Sequence, residues 1–298
     1  MQVIRDPQKL ILALKKSKAG KNKTIGFVPT MGAMHTGHLN LIKQAAKDNH
    51  IVAVSIFVNP QQFGPGEDLK KYPRPLKKDI QLCRKQGVDF IFLPDNKIMY
   101  PDGYSTFINV EGLSHLLCGA KRPGHFRGVV TVVAKLLNII KPDNLYLGQK
   151  DAQQAIIISR MIKDLNFPVK VNVLPIVRFK DGLALSSRNA YLNKNERTSA
   201  VVLFKALRLA EILVSNGQRN ANRIISRMKQ LIEKNKKAKI DYIAIVDLEN
   251  LRPLKKITDG CLIALAVHIG KIRLIDNEII KLKLKTQKSK PKVKIQKF

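Results

Sequence analysis

A pair of histidines, a Lys-Asp step, a Ser-Ser-Arg run and several glutamines hold most of the chemistry this chain could do. His35-Thr36-Gly37-His38 lies between an apolar run and an amphipathic stretch. Histidines three apart near a helix start share one side. Gly37 leaves room for close approach, and a helix N-terminus favours anions. The spot therefore suits triphosphate oxygens. A metal site would need more ligands, and no neighbouring Cys, His or Asp completes one. A purely structural pair is the other reading. In Gly148-Gln149-Lys150-Asp151, Lys150 offers positive charge to phosphates and Asp151 an acceptor for ribose hydroxyls. By itself such a step is commonly a solvated helix cap. Ser186, Ser187 and Arg188 put two hydroxyls and a guanidinium in a row, able to clamp a polyphosphate. Alone that run is an ordinary loop. Asn59, Gln61, Gln62, Gln153 and Gln154 add amides, which donate and accept and so suit a small hydroxy acid better than a metal.

What is missing narrows the chemistry. There is no G-x-x-x-x-G-K-[ST] loop, no GxGxxG fingerprint and no GxSxG elbow. The inventory of cations, imidazoles, hydroxyls and amides points to electrostatic and positional catalysis on phosphates rather than covalent catalysis.

The elements that must position these groups read as an α/β fold. Thr24 to Pro29, Ile51 to Val58, Asp89 to Leu93, Leu145 to Gly148 and Val169 to Val173 are short apolar runs, read as buried strands. Helical patterns fall between them at His38 to Asn49, Pro75 to Gly87, Gly128 to Ile140 and Asp151 to Leu165. The alternation implies βαβ units and a mainly parallel sheet. Ligands of such sheets sit at the carboxyl ends of the strands. The segments 30–38, 59–64 and 148–154 all follow strands, so one shared site is expected. After about residue 180 the pattern changes. Asp181-Gly182 marks a tight turn. Two long helices are expected at Glu196 to Asn216 and Asn220 to Lys234, then strands at Ile240 to Val246, Leu262 to Val267 and Ile272 to Ile275. This predicts a smaller α+β unit, giving an organisation of 1–180, 181–285 and a basic tail over 286–298 that reads as disordered. Lys281 to Lys285 (KLKLK) could extend an edge strand.

The chain carries 54 Lys+Arg against 22 Asp+Glu, a formal net charge of +32. Clustered cations would suit nucleic acid. Here the excess is scattered and largely Lys, so solvated faces are the simpler reading, with at most weak non-specific binding of polyanions. Cys83, Cys118 and Cys261 form no CxxC pair or disulfide framework, which fits a reducing cytoplasm. The apolar stretch Leu10 to Leu14 is too short for a signal peptide, and no run approaches the ~18 residues of a membrane span.

HxGH recurs in nucleotidylyl transferases and in one class of aminoacyl-tRNA synthetases. The fuller set of strings resembles the pantothenate synthetase family: FVPTMGAMHTGHLNLI from Phe27, SIFVNPQQFG from Ser55, EDLKKYPR from Glu67, RPGHFRGVVTVVAKLLNIIKPD from Arg122, LGQKDAQQ from Leu147, DGLALSSRN from Asp181 and HIGKIRLIDN from His268. The resemblance covers almost the whole chain in order. It implies a Rossmann-like N-terminal domain with a smaller C-terminal lid, in a homodimer. It also implies ATP, Mg²⁺, pantoate and β-alanine as ligands. Pantoate would first be adenylated with loss of pyrophosphate, and β-alanine would then displace AMP. By position, it implies His35, His38 and Lys150 at the phosphates, Met31 beside the substrate, and Asp151 at the ribose. Gly148 and Val177 join the ATP site, and Ser186, Ser187 and Arg188 hold the outer phosphates. Gln62 and Gln154 would hold pantoate with Asn59 close by, and Asp79 would lie near magnesium. Two positions depart from the family pattern: Gln149 stands where a Glu is usual, and Leu185 where a Met is usual. The alternatives left open are another HxGH adenylyl transferase acting on a different small acid, and a basic polynucleotide-binding protein.

Overall fold

The structure, a computed structural model, describes residues 1–19 and 22–282. Six parallel strands form the larger sheet: β1 (Gln2–Ile4), β2 (Ile25–Thr30), β3 (Ile51–Ile56), β4 (Phe90–Phe92), β5 (Asn144–Gly148) and β6 (Lys170–Leu174). Their spatial order is β1-β4-β3-β2-β5-β6. Every residue of β3 is buried, and five of six in β2, as expected for parallel strands covered on both faces. Helices α1 (Pro7–Lys18), α6 (His125–Ile140) and α7 (Ala152–Asp164) pack on one face. Helices α2 (Thr36–Asp48) and α3 (Leu76–Lys85) cover the other. Two short helices, α4 (Asn96–Met99) and α5 (Leu117–Lys121), lie in the connection before α6.

The topology decides where a ligand goes. After β2 the chain winds outward through β3 and β4, then returns to place β5 on the other flank of β2. The carboxyl ends of β2 and β5 therefore diverge at a switch point, which leaves a crevice. The His35 and Lys150 segments leave from those two strands.

The C-terminal part holds α8 (Lys194–Ser199), α9 (Val202–Ser215), α10 (Ala221–Glu233) and an antiparallel sheet β7-β8-β9 (Ala238–Val246, Gly260–Ile269, Ile272–Lys281). The single helix expected over 196–216 is in fact two. Asn193 and Glu196 form a reciprocal capping box that starts α8 early, and the chain turns at Ala200 and Val201 before α9. Residues of β8 alternate in partner. Ile263, Leu265 and Val267 pack with α9 and α10, while Leu262 and Ala264 join the core of the larger sheet. The small sheet is thus buried on both sides, and burial of each such aliphatic side chain contributes about 1.5–3 kcal/mol. Strand β9 reaches Lys281, whereas Lys283, Lys285 and the 286–298 tail lie outside the described residues. Among the described residues no helix is long and apolar enough to cross a membrane.

Candidate active site

The β2–α2 loop is shaped by two residues from elsewhere. Thr30 Oγ1 accepts from Gly32 N and donates to Ser55 O. Asp79, on α3 and 1% exposed, accepts from Ala33 N and Met34 N, both at 2.9 Å. Gly32 takes φ +81, and a Cβ there would lie 2.9 Å from Asp79 Oδ2. The side chain expected near magnesium thus has both oxygens engaged by backbone amides.

His35 is the N-cap of α2. Its Nδ1 accepts from Gly37 N at 3.1 Å, and His38 Nδ1 accepts from His35 N at 3.4 Å. The rings stack with centroids 4.2 Å apart. With both Nδ1 atoms accepting, both neutral rings carry their proton on Nε2. Burial, then the Lys150 charge, lowers His35 to about 4. Burial, then His35, lowers His38 to about 3. Near neutral pH both imidazoles are therefore uncharged donors. Gly37 has a different task from the one expected. A Cβ there would lie 2.8 Å from His35 Cε1, so the glycine makes room for the His35 ring.

Beyond β3, Asn59 Nδ2 donates to Gln62 Oε1 and to Gly128 O, each at 3.1 Å, while its Oδ1 accepts from Tyr100. Gln62 Nε2 donates to Met31 Sδ. Gly128 lets α6 press on this turn, since a Cβ would lie 2.1 Å from Gln61 O. The Gln62 carbonyl accepts from His125 Nδ1 at 2.7 Å, and His125 Nε2 in turn accepts from Arg122 Nη1 at 2.9 Å. Burial and then Arg122 hold His125 at about 4, so it too is neutral. Glu67 occupies the rest of the Arg122 fork. Ser55 Oγ is buried with no hydrogen-bond partner among the described residues.

After β5, Lys150 Nζ stands 3.6 Å from Asp151 Oδ1. Gln153 spends its amide on Cys118 N, Leu113 O and Leu116 O. On the far wall Ser186 Oγ accepts from Arg188 N. The Arg188 fork is taken by Asp68, with Nε–Oδ2 3.1 Å and Nη2–Oδ1 3.0 Å.

These loops enclose a cavity of about 600 Å³. It is lined by Met31, His35, His38, Asn59 and Gln62 from one side and by Gly148, Lys150, Asp151 and Gln154 from the β5 side. Val177, Ser186, Ser187 and Arg188 complete it, and Ser55 and Tyr72 also border it. Asp79, Gln61 and Gln153, each offered a role from the sequence, are not among the residues that line it. A second hollow of about 820 Å³, against β9, shares Lys150, Asp151, Gln154 and Arg188 with the first.

The chain matches the family described as Pantoate-beta-alanine ligase over residues 2–279. It belongs to that family. A pantothenate synthetase of Fervidobacterium nodosum is 54% identical over 267 residues, covering 90% of this chain and 95% of that protein. One from Clostridium botulinum is 51% identical over 282 residues, covering 95% and 100%. Among solved structures, the pantothenate synthetase of Thermus thermophilus superposes with a TM-score of 0.88 at 42% identity, covering 93% of this chain and 99% of that one. The Francisella tularensis pantoate-beta-alanine ligase, complexed with beta-gamma ATP and beta-alanine, gives 0.76 at 38% identity, covering 94% and 97%.

Membership in the pantoate-beta-alanine ligase family sharpens the two departures. Leu185 replaces a side chain of similar volume, and its N–H donates to Val177 O, a bond that any residue there can make. Gln149 reaches across to the C-terminal sheet, with its Nε2 3.3 Å from Asn277 Oδ1. Glu67, Asp68, Tyr72, Arg122, His125 and Asn277 have no role assigned from the sequence. The strings EDLKKYPR, RPGHF and RLIDN contain all six, and only the fold shows which side chains they meet.

Proposed function

We propose that this cleft performs both half-reactions with residues that bind, orient and neutralise charge, and none that becomes covalently attached. The chain is an ATP-dependent enzyme that condenses pantoate with β-alanine through pantoyl-adenylate, releasing pyrophosphate and then AMP. The observation that carries the residue roles is the convergence of two neutral, stacked imidazoles, Lys150 and the Gln62–Gln154 pair on one cavity.

The pantoate carboxylate is already ionised and attacks the α-phosphorus, so the chemistry needs stabilised charge and in-line geometry. His35 and His38 donate Nε2–H to phosphate oxygens, and Lys150 supplies the full positive charge. Their arrangement supports this: the Lys150 charge helps keep the imidazoles neutral, so these three residues offer the phosphates one cation and two dipoles. Ser186, Ser187 and Arg188 hold the outer phosphates, with Arg188 exchanging Asp68 for phosphate oxygens. Asp151 accepts from the ribose, with Gly148 and Val177 along the nucleoside. Gln62 and Gln154 hold pantoate, with Asn59 fixing the Gln62 amide and Met31 packing alongside. In the second half-reaction the β-alanine amine attacks the acyl carbonyl and AMP departs. The C-terminal unit, taken as residues 181–285, shields the mixed anhydride from water.

Magnesium fits as a companion of the triphosphate rather than as a protein-held ion. Asp79 is spent on backbone amides, and no cluster of three His, Cys, Asp or Glu suited to a metal exists among the described residues. Mg²⁺ commonly keeps its waters and binds through phosphates, where it would offset their charge. We further propose a homodimer in the cytoplasm, on the family resemblance and the free cysteines.

The test is pyrophosphate release from ATP with Mg²⁺, with and without pantoate, followed by β-alanine. Release that requires pantoate, with AMP and pantothenate only after β-alanine, supports the reading. Pantoate-independent release, or release with other small acids in preference, overturns it.

A further inference from the structure

We propose that Asn277, carried on the C-terminal sheet, is a positioning residue for Lys150. The inference rests on the reading of Lys150 as the cation at the phosphates. Asn277 is 3% exposed on β9 and faces the turn between β5 and α7. Its Nδ2 donates to Gln149 O and to Lys150 O, both at 3.0 Å. Its Oδ1 accepts from Gln149 Nε2. Its backbone N–H donates to Asp276 Oδ1 at 2.8 Å, and its carbonyl accepts from Arg178 at 3.4 Å. Every polar group of Asn277 is thereby used, so the side chain has one satisfied orientation.

The turn needs such a partner. Gln149–Asp151 is a single 3-10 turn, and neither Gly148 nor Asp151 supplies a side-chain cap to it or to α7. The two carbonyls that Asn277 grips flank the Lys150 Cα, so the bonds fix the direction in which Lys150 leaves the backbone. Asn277 is itself held by its neighbour Asp276, which is 2% exposed and pairs with Arg178 at 2.6 Å. Lys150 therefore comes from the larger sheet, while its aim is set by a residue 127 positions along the chain, in the smaller one. Gln149 adds the longest of the three bonds and is half-buried, so the clamp persists without it.

The test is a double-mutant cycle on pantoyl-adenylate formation by the full chain, read as single-turnover pyrophosphate release. Asn277→Ala and the near-isosteric Asn277→Asp, which turns an oxygen toward both carbonyls, should each slow the step roughly tenfold to a hundredfold. The KM for pantoate should stay within about twofold, because the side-chain bonds of Asn277 fall on Gln149 and Lys150 and not on Gln62 or Gln154. Asn277→Ala added to Lys150→Ala should cost little more than Lys150→Ala alone, since a residue acting through another is silent once that other is gone. Thermal melts and circular dichroism identify the folded variants; if Asn277→Asp misfolds, Asn277→Ala carries the test. Full rate in folded Asn277→Ala, or losses that multiply in the double variant, overturns the inference. Full rate in Lys150→Ala overturns the underlying reading of Lys150 instead.

Discussion

The two corners of the cleft are built on different length scales. The His35–His38 corner closes on itself: His35 caps the helix, His38 answers it, and Gly37 makes space, all within four residues. The Lys150–Arg188 corner is assembled from a distance. Lys150 is gripped through its backbone by Asn277, and the Arg188 fork is held by Asp68, 120 positions away. The contacts within the local corner form with its helix, and the loop before it is held by Asp79. A remote corner exists only once segments more than a hundred residues apart have come together in the tertiary fold.

The sharpest way to break this contrast is Lys150→Ala. Pyrophosphate release should fall by roughly 10²–10³, with the melting temperature nearly unchanged, because the ion pair lost among the described residues is a loose Asp151 contact at 3.6 Å. Normal turnover would remove the remote corner from the chemistry. Next comes Gly37→Ala, the local counterpart. The added Cβ must push the His35 ring aside, so adenylation should slow about tenfold, or ~1.4 kcal/mol, at unchanged KM for pantoate. A wild-type rate would show that the ring placement is not tight.

Asp68→Asn tests the remote corner from its other end. With its carboxylate partner neutralised, Arg188 is freer for phosphates, and the KM for ATP should fall several-fold. Stability should change by less than about 1 kcal/mol, as for partly exposed pairs. A higher KM would instead make Asp68 a support for Arg188.

Acid separates the corners again. His35 and His38 sit at about 4 and about 3 when folded, against 6.5 when unfolded. Between those values the unfolded chain binds more protons, so stability falls as pH drops below 6.5 and continues to fall through the folded values. His38→Gln should flatten that loss in thermal melts across pH 7 to 4. Activity should lack an acid limb near 6.5 due to these rings, and a limb there would contradict their neutral state. The smallest expected effect is Ser55→Ala. Removing a buried, unpartnered hydroxyl should leave stability equal or slightly higher, within about 1 kcal/mol. A clear loss would mean that the hydroxyl has a partner on folding.

Much of the scaffold was legible because its signals are local. The five strand runs fall within one residue of β2 to β6 at each end, except that β3 stops at Ile56, two residues before Val58. The loops expected to converge do so. Strand β1 and helix α1 were not read, since three residues show no period and the pairing of β1 with β4 is 88 residues distant. The split between α8 and α9 was hidden because Thr198 to Val202 continues the apolar spacing while the chain turns.

By itself, then, the sequence determined the parallel-sheet alternation, the family strings, and the residue types that line the cleft. Those follow from periodicity and motif spacing, which act over a few residues. Only the tertiary structure decided the neutral state of His35, His38 and His125, the use of Asp79 as a loop anchor, the pairing of Asp68 with Arg188, and the grip of Asn277 behind Lys150. Each depends on burial or on a contact between segments far apart in the chain. A lone Asp, Asn or His has the same local pattern whether it meets solvent, a backbone amide or another domain.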